Sequence, residues 1–221
     1  MGSQVILDLI ASSLTFGTLL LMAIRLNGGV SESSQMYNGD LLVQSNITTV
    51  INMIETDFRR IGYCANPANL PDPTKAIVYA SDTAITFQTD LPISSTNMNG
   101  DSVIDVVKYY VGSTSELSMT PNPRDRILYR VVNNKPPKGA NLGVTQFSLV
   151  YFAGNGTPFD DTLKTPVPTA QLGAISAMQI TIQVENMAAQ TLRYNTAKFD
   201  NQYSNAFWRQ VRLVSRNLQN R

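Results

Sequence analysis

Leu9–Ile24 reads LIASSLTFGTLLLMAI, sixteen residues without a charge, bounded by Asp8 and Arg25. At ~1.5 Å per residue the run makes about 24 Å of helix. Extended to 5–26 it approaches the ~30 Å of a bilayer's hydrocarbon core, provided Asp8 is tolerated. An acid at its start and a base at its end both suit a helix dipole. Ser12, Ser13, Thr15, Gly17 and Thr18 supply small residues that let helices approach closely.

Three readings of this segment compete. A cleaved signal peptide is disfavoured, because residues 1–7 carry no Lys or Arg and no small-x-small cleavage site precedes the domain. A plain single-pass anchor leaves Asp8 without a purpose, since a carboxylate in an apolar segment needs a partner. The third is a helix that rests in a membrane first and in a protein assembly later. Arg25 is the one basic residue near the segment, so the positive-inside argument is weak.

Moving outward, Gly28–Gly29 predicts a break or soft point, and residues 28–39 read as a polar hinge. A second helix is expected over 40–62. Ile47, Val50, Ile51, Ile54, Phe58 and Ile61 recur at spacings of three and four, a stripe that should pack on the head. Gly62 is the expected stop, and Pro67, Pro71 and Pro73 prevent continuation. The rest of the chain, 75–217, reads as β. Runs are expected at 76–80, 83–89, 103–111, 127–132 and 144–152, and a last one at 207–216. Met178, Ile180, Ile182 and Val184 alternate with polar neighbours in the clearest half-buried strand. A long helix followed by a run of strands argues α+β, an antiparallel sheet packed on the helical stripe. The expected division is an apolar helix at 1–27, a hinge at 28–39 and a globular head at 40–221.

Composition narrows the chemistry. Among 221 residues 43% are hydrophobic and 15% charged, against about 25% charged in an average domain. Ser, Thr, Asn and Gln number 69, which suits an extracellular surface. A net charge of +1 lacks the basic footprint of a nucleic-acid binder. There is no His, which removes His-based triads and zinc ligands. The single Cys64 reads as a buried, inert thiol. No Gly-x-Ser-x-Gly or Gly-Lys-Ser/Thr occurs, so neither an enzyme nor a cofactor or metal is expected. Ser95–Val106 has Val106 where a calcium loop needs Glu, and reads as a hairpin tip. Asp160–Asp161 reads as a solvated turn. Asn46 and Asn155 match the N-glycosylation pattern. Arg209, Arg212, Arg216 and Arg221 are spread over both faces of a strand, which predicts solvent-facing side chains or inter-subunit ion pairs, not a polyanion groove.

Three short words carry a resemblance. Asp57-Phe58-Arg59-Arg60-Ile61-Gly62-Tyr63 ends the helix, Leu128-Tyr129-Arg130 lies on a strand, and VRLVSRNL occupies 211–218. Together with the element order they resemble the type IV filament superfamily of pilins and pseudopilins, nearest in wording to the J/W class of minor members. The family's basic leader is absent, and the acid usual at the fifth mature position stands at Asp8. The resemblance implies a structural subunit of an extracellular type IV pilus-like filament. Its partners would be copies of itself, an assembly machinery and, before assembly, the cytoplasmic membrane; no nucleic acid is expected. Asp8 would neutralise a neighbour's N-terminal amine or its Arg25. Two alternatives stand beside it, a minor pseudopilin of a type II secretion system and a membrane-anchored ligand-binding ectodomain that does not polymerise.

Overall fold

A computed structural model of the chain describes residues 2–94, 98–154, 162–186, 207–214 and 216–219. Its first element is one helix, α1, Gly2–Arg59, 58 residues long. The expected break at Gly28–Gly29 is therefore corrected: the helix passes through 28–39 without interruption. Two glycines cost a helix only ~1 kcal/mol each relative to Ala. No proline occurs between residues 2 and 59 to remove a ladder hydrogen bond.

Among the described residues eight strands follow: β1 (Ile77–Ala80), β2 (Ala84–Thr89), β3 (Asp105–Val111), β4 (Arg126–Val132), β5 (Lys138–Ala153), β6 (Thr162–Leu163), β7 (Ile175–Val184) and β8 (Phe207–Val214). They form a single sheet in the order β1-β2-β3-β4-β5-β7-β8, with β6 added beside β5, and every pairing is antiparallel. The α+β expectation holds. β5 starts six residues before the expected 144, through a Gly-containing stretch with no apolar alternation. The last strand ends at Val214, and Arg216–Gln219 forms the short helix α2.

The core lies between one face of this sheet and the C-terminal half of α1. The sheet contributes Ile85, Phe87, Val107, Tyr109, Leu149, Tyr151, Ile180 and Ile182, all fully buried. The helix contributes Val43, Ile47, Val50, Ile51, Ile54 and Phe58, with Ile61 just past its end. Ile47, Ile51, Ile54, Phe58 and Ile61 all lie within this core. α1 packs along β5, β7 and β8. Phe58 reaches further, meeting Phe87 and Tyr109 edge-on at 5.4 and 5.5 Å. Such edge-to-face pairs add about 0.5–1.5 kcal/mol beyond burial.

Candidate functional site: the free apolar helix and its anchor

The helix has two unlike halves. Gly2–Ser31 is long and apolar enough to cross a membrane, and none of its most apolar window is buried within the chain. Leu9, Leu14, Phe16, Leu19 and Leu26 are each more than three-fifths exposed. Serine and threonine in this half return their hydroxyls to the helix backbone: Ser12 donates to the Leu9 carbonyl, Thr15 to those of Ala11 and Ser12, and Thr18 to that of Thr15. Their polarity is thereby satisfied inside the helix, which leaves an apolar outer surface. Asp8 and Arg25 lie on this half, both exposed, and neither has an ion-pair partner among the described residues. Seventeen positions apart on one continuous helix, they stand ~25 Å from each other and cannot pair within a chain.

Where the helix ends, sequence-distant residues converge. Asp57, on the last turn of α1, is buried at 6% exposure. Its Oδ2 accepts from the Tyr109 hydroxyl at 2.5 Å and from Arg130 Nε at 2.6 Å. Arg130 Nε also donates to the Tyr109 oxygen at 3.1 Å. β3–β4 register sets Tyr109 opposite Arg130, so two strands deliver the trio to one carboxylate. Burial, and then the adjacent Asp57 charge, push the Tyr109 hydroxyl well above its ordinary value. Burial pulls the Arg130 guanidinium down, but its bond to Asp57 and that residue's charge outweigh it and hold it above its ordinary value.

Beyond Asp57 the chain turns off the helix through Gly62, whose φ of +73° favours glycine. Arg60 fastens this exit to the loop after β2, donating to the carbonyls of Asp90 and Met98, both at 2.7 Å. Its guanidinium lies over the Tyr63 ring, 4.6 Å from the centroid. The Asp90 carboxylate is fully buried and accepts from the amides of Ala65, Asp101 and Ser102. From the other side, Asn217 Nδ2 donates to the Ile61 carbonyl at 3.3 Å, and Leu218 is buried. All three words that carried the resemblance therefore meet at the foot of the helix.

Several expectations resolve here. Cys64 is buried, with Sγ 3.9 Å from Asp90 Oδ2. Asn46 is half-buried and donates to the Leu142 carbonyl at 3.2 Å, which occupies the amide a glycan would take. Arg209 and Arg212 are both exposed on β8, neither with an ion pair among the described residues, and Arg212 lies over the Phe152 ring at 4.3 Å. Ser95, Asn97, Asn155, Gly156, Asp160, Asp161 and Arg221 lie outside the described residues. Among the described residues no group of three or more Cys, Asp or Glu is placed to hold a metal. Sequence reading missed Tyr109 and Asp90. Neither sits in a motif, and only the register and the loop fold reveal their partners. Gly39 was missed as well: it is the first buried residue of α1 among the described ones, and a Cβ there would lie 2.5 Å from Asn186 Nδ2.

No protein-family model matches the chain, and no curated protein does. Among solved structures the chain is similar to a type IV-like pilin from Thermus thermophilus, with a TM-score of 0.41 and 10% identity, over 79% of this chain and 96% of that one. At that identity and score the likeness assigns neither a family nor a role to this chain.

Proposed function

We propose that the protein is a pilin-like structural subunit that polymerises through its N-terminal helix into an extracellular filament. The observation that carries this reading is the division of α1. One half is built into the head, and the other runs for about 45 Å with a mostly apolar surface, interrupted by Asp8 and Arg25, and nothing of its own chain upon it. A soluble monomer rarely leaves so large an apolar surface bare. A membrane covers it before assembly, and the helices of neighbouring copies cover it afterwards. A membrane span needs only ~20 residues, whereas the bare stretch is 30 residues long, so several turns remain outside the hydrocarbon.

Asp8 gives the second covering its selectivity. In a filament core it meets an N-terminal amine or Arg25 of a neighbour. In lipid it stays near the interface, where water reaches it. The difference between those surroundings favours extraction into the polymer once a partner is in register. The resemblance at Asp57–Tyr63, Leu128–Arg130 and Val211–Leu218 supports the same reading, because those words now have a shared task in holding the head to its rod.

Negative-stain microscopy of filaments sheared from producing cells, with mass spectrometry of their protein, tests the proposal. The expected result is a thin filament containing this chain. A filament in which it is scarce favours a tip pseudopilin. Monomers confined to the membrane, with no filament, would establish an anchored ectodomain and overturn the reading.

A further inference from the structure

We propose that the loop from Leu117 to Asp125 holds a calcium ion. A short 3-10 turn, Thr114–Leu117, follows β3, and the chain then passes Pro121 and Pro123 before β4 begins at Arg126. Oxygens gather in this loop around one side chain. Thr120 Oγ1 lies 2.7 Å from the Leu117 carbonyl oxygen and 3.3 Å from that of Asn122. The same hydroxyl stands 2.9 and 3.0 Å from the two oxygens of Asp125.

A threonine hydroxyl has a single proton to give. It can serve one of these acceptors, or two if shared, so the remaining oxygens face the hydroxyl oxygen with no hydrogen between. Asp125 bears most of that cost. It is 1% exposed and has no ion pair among the described residues. Besides a share of the Thr120 proton, its one further donor among them is Asn141 Nδ2 at 2.8 Å, whose amide the Gly143 N–H orients through Oδ1. The other buried carboxylates are better supplied. Asp90 accepts from three backbone amides, and Asp57 from Tyr109 and Arg130. Glu185 accepts from Arg124, Asn122 and Gln183. A buried carboxylate lacking a counter-charge is costly, and a cation set among these oxygens removes the cost.

The donor set selects the ion. Two carbonyls, a hydroxyl and a carboxylate are all hard oxygen ligands. Calcium is held at roughly 2.3–2.6 Å, which puts neighbouring oxygens of its shell about 2.8–3.4 Å apart. The spacings around Thr120 Oγ1, from 2.7 to 3.3 Å, cover nearly that range. Magnesium needs a smaller, regular octahedron and gives up its waters reluctantly, so it suits the cluster less. Leu117 and Thr120 are half-buried beside exposed Ser118, Met119 and Pro121, so the cluster lies just under the surface, where water completes the shell. With the ion on its lone pair, the Thr120 hydroxyl keeps its proton and turns it outward. One formal negative charge makes a weak site, in the roughly 10⁻⁴–10⁻³ M class of extracellular modules. Its effect is to fix the loop that carries Met119, which is 96% exposed. None of this depends on the filament reading.

Equilibrium dialysis of the full chain in detergent micelles against calcium chloride tests the site. Magnesium chloride and sodium chloride at matched ionic strength are the controls. Saturable binding of calcium is expected, half-filled at roughly 10⁻⁴–10⁻³ M. Calcium at about ten times that level should raise the melting temperature by about 3–6 °C, and magnesium by much less. Thr120→Val deletes one ligand oxygen and should weaken binding at least ~10-fold, since even outer partners of a metal site are worth that much. Thr120→Ser keeps the oxygen and should bind as the parent does. Asp125→Asn removes the charge and should abolish binding; should it fail to fold, the two Thr120 variants decide. Each variant is compared with its own calcium-free form, so basal stability does not enter. The proposal is overturned if calcium does not bind saturably, if magnesium shifts melting as far as calcium, or if Thr120→Val binds calcium as tightly as the parent.

Discussion

Asp57 and Arg130 are 73 residues apart in the chain and 2.6 Å apart in space. They join the last turn of the long helix to a central strand, inside a shell that leaves the Asp57 side chain 9% exposed and the Arg130 side chain 26%. Removing one member of such a pair strands the other charge in poor solvent. Asp57→Ala and Arg130→Ala should each cost about 3 kcal/mol, the low end for a buried pair because Arg130 still touches water. The double variant should cost clearly less than the sum of the two, since neither charge is then orphaned. Thermal unfolding of the four proteins in one detergent measures the coupling. Additive losses would show that the two residues act separately.

The same buried trio makes the head sensitive to alkali. Burial and the Asp57 charge raise the Tyr109 hydroxyl, and burial raises that of Tyr151, whose proton is donated to the Ser81 carbonyl. Unfolded tyrosine ionises near pH ~10. Because the folded values lie higher, the stabilisation is fully present below pH ~10. It is lost progressively as pH rises above it, by up to ~1.4 kcal/mol per pH unit per tyrosine. The expected outcome is a melting temperature flat from pH 7 to 9.5 that falls steeply beyond, and less steeply in Tyr151→Phe. Equal slopes in parent and variant would exclude Tyr151 as a source.

Much of this was readable in advance, and the physical reason differs from place to place. The stripe from Ile47 to Ile61 was legible because a helix packed on a sheet must repeat its apolar face every three or four residues. Met178 to Val184 was legible because strands alternate. The continuity of α1 was not. Gly28–Gly29 lowers local propensity, but a helix held at its far end by a core carries a soft stretch along with it. The Asp57–Tyr109–Arg130 cluster was only half legible. Two of its members stood in words that resembled a family, yet nothing local linked them, and Tyr109 enters through strand register alone. The early start of β5 was hidden by Gly139 and Gly143.

Two glycines should answer alanine in different ways. Gly100 has φ +83°, and a Cβ there would come within 1.9 Å of Asp90 Oδ1. That carboxylate ties three loop amides and cannot withdraw without releasing them. Left-handed strain of roughly 1–2 kcal/mol then adds to the lost hydrogen bonds, so Gly100→Ala should destabilise by about 2 kcal/mol or more. Gly39 is helical, and its Cβ would meet only the end of the Asn186 side chain, 2.5 Å away. Moving that amide opposes a gain of ~1 kcal/mol in helix propensity, so Gly39→Ala should lie near neutral. Unfolding of both variants side by side is the measurement. A Gly100→Ala protein as stable as the parent would show that Asp90 does not organise the loop.

Assembly, if it proceeds through the bare helix, should respond separately to its charge and to its pliancy. Asp8→Asn keeps the size of the side chain and removes its charge. The variant should reach the membrane in normal amounts, with the head folded, yet enter filaments at least ~10-fold less, as expected for losing a desolvated ion pair. Gly29→Ala asks a different question. A Cβ at Gly29 meets nothing within 4 Å, so the folded monomer gains helix propensity without a clash. Should packing into a filament require the helix to bend or loosen at Gly28–Gly29, the stiffer variant will melt no lower and polymerise less. Should the rod remain straight, it will polymerise as the parent does, and these glycines then serve close approach between helices, not bending. Filament yield against membrane content in the two variants separates the roles. Normal filaments from Asp8→Asn would leave the acid as a dipole partner at the start of its own helix, with the drive to assemble resting on apolar packing alone.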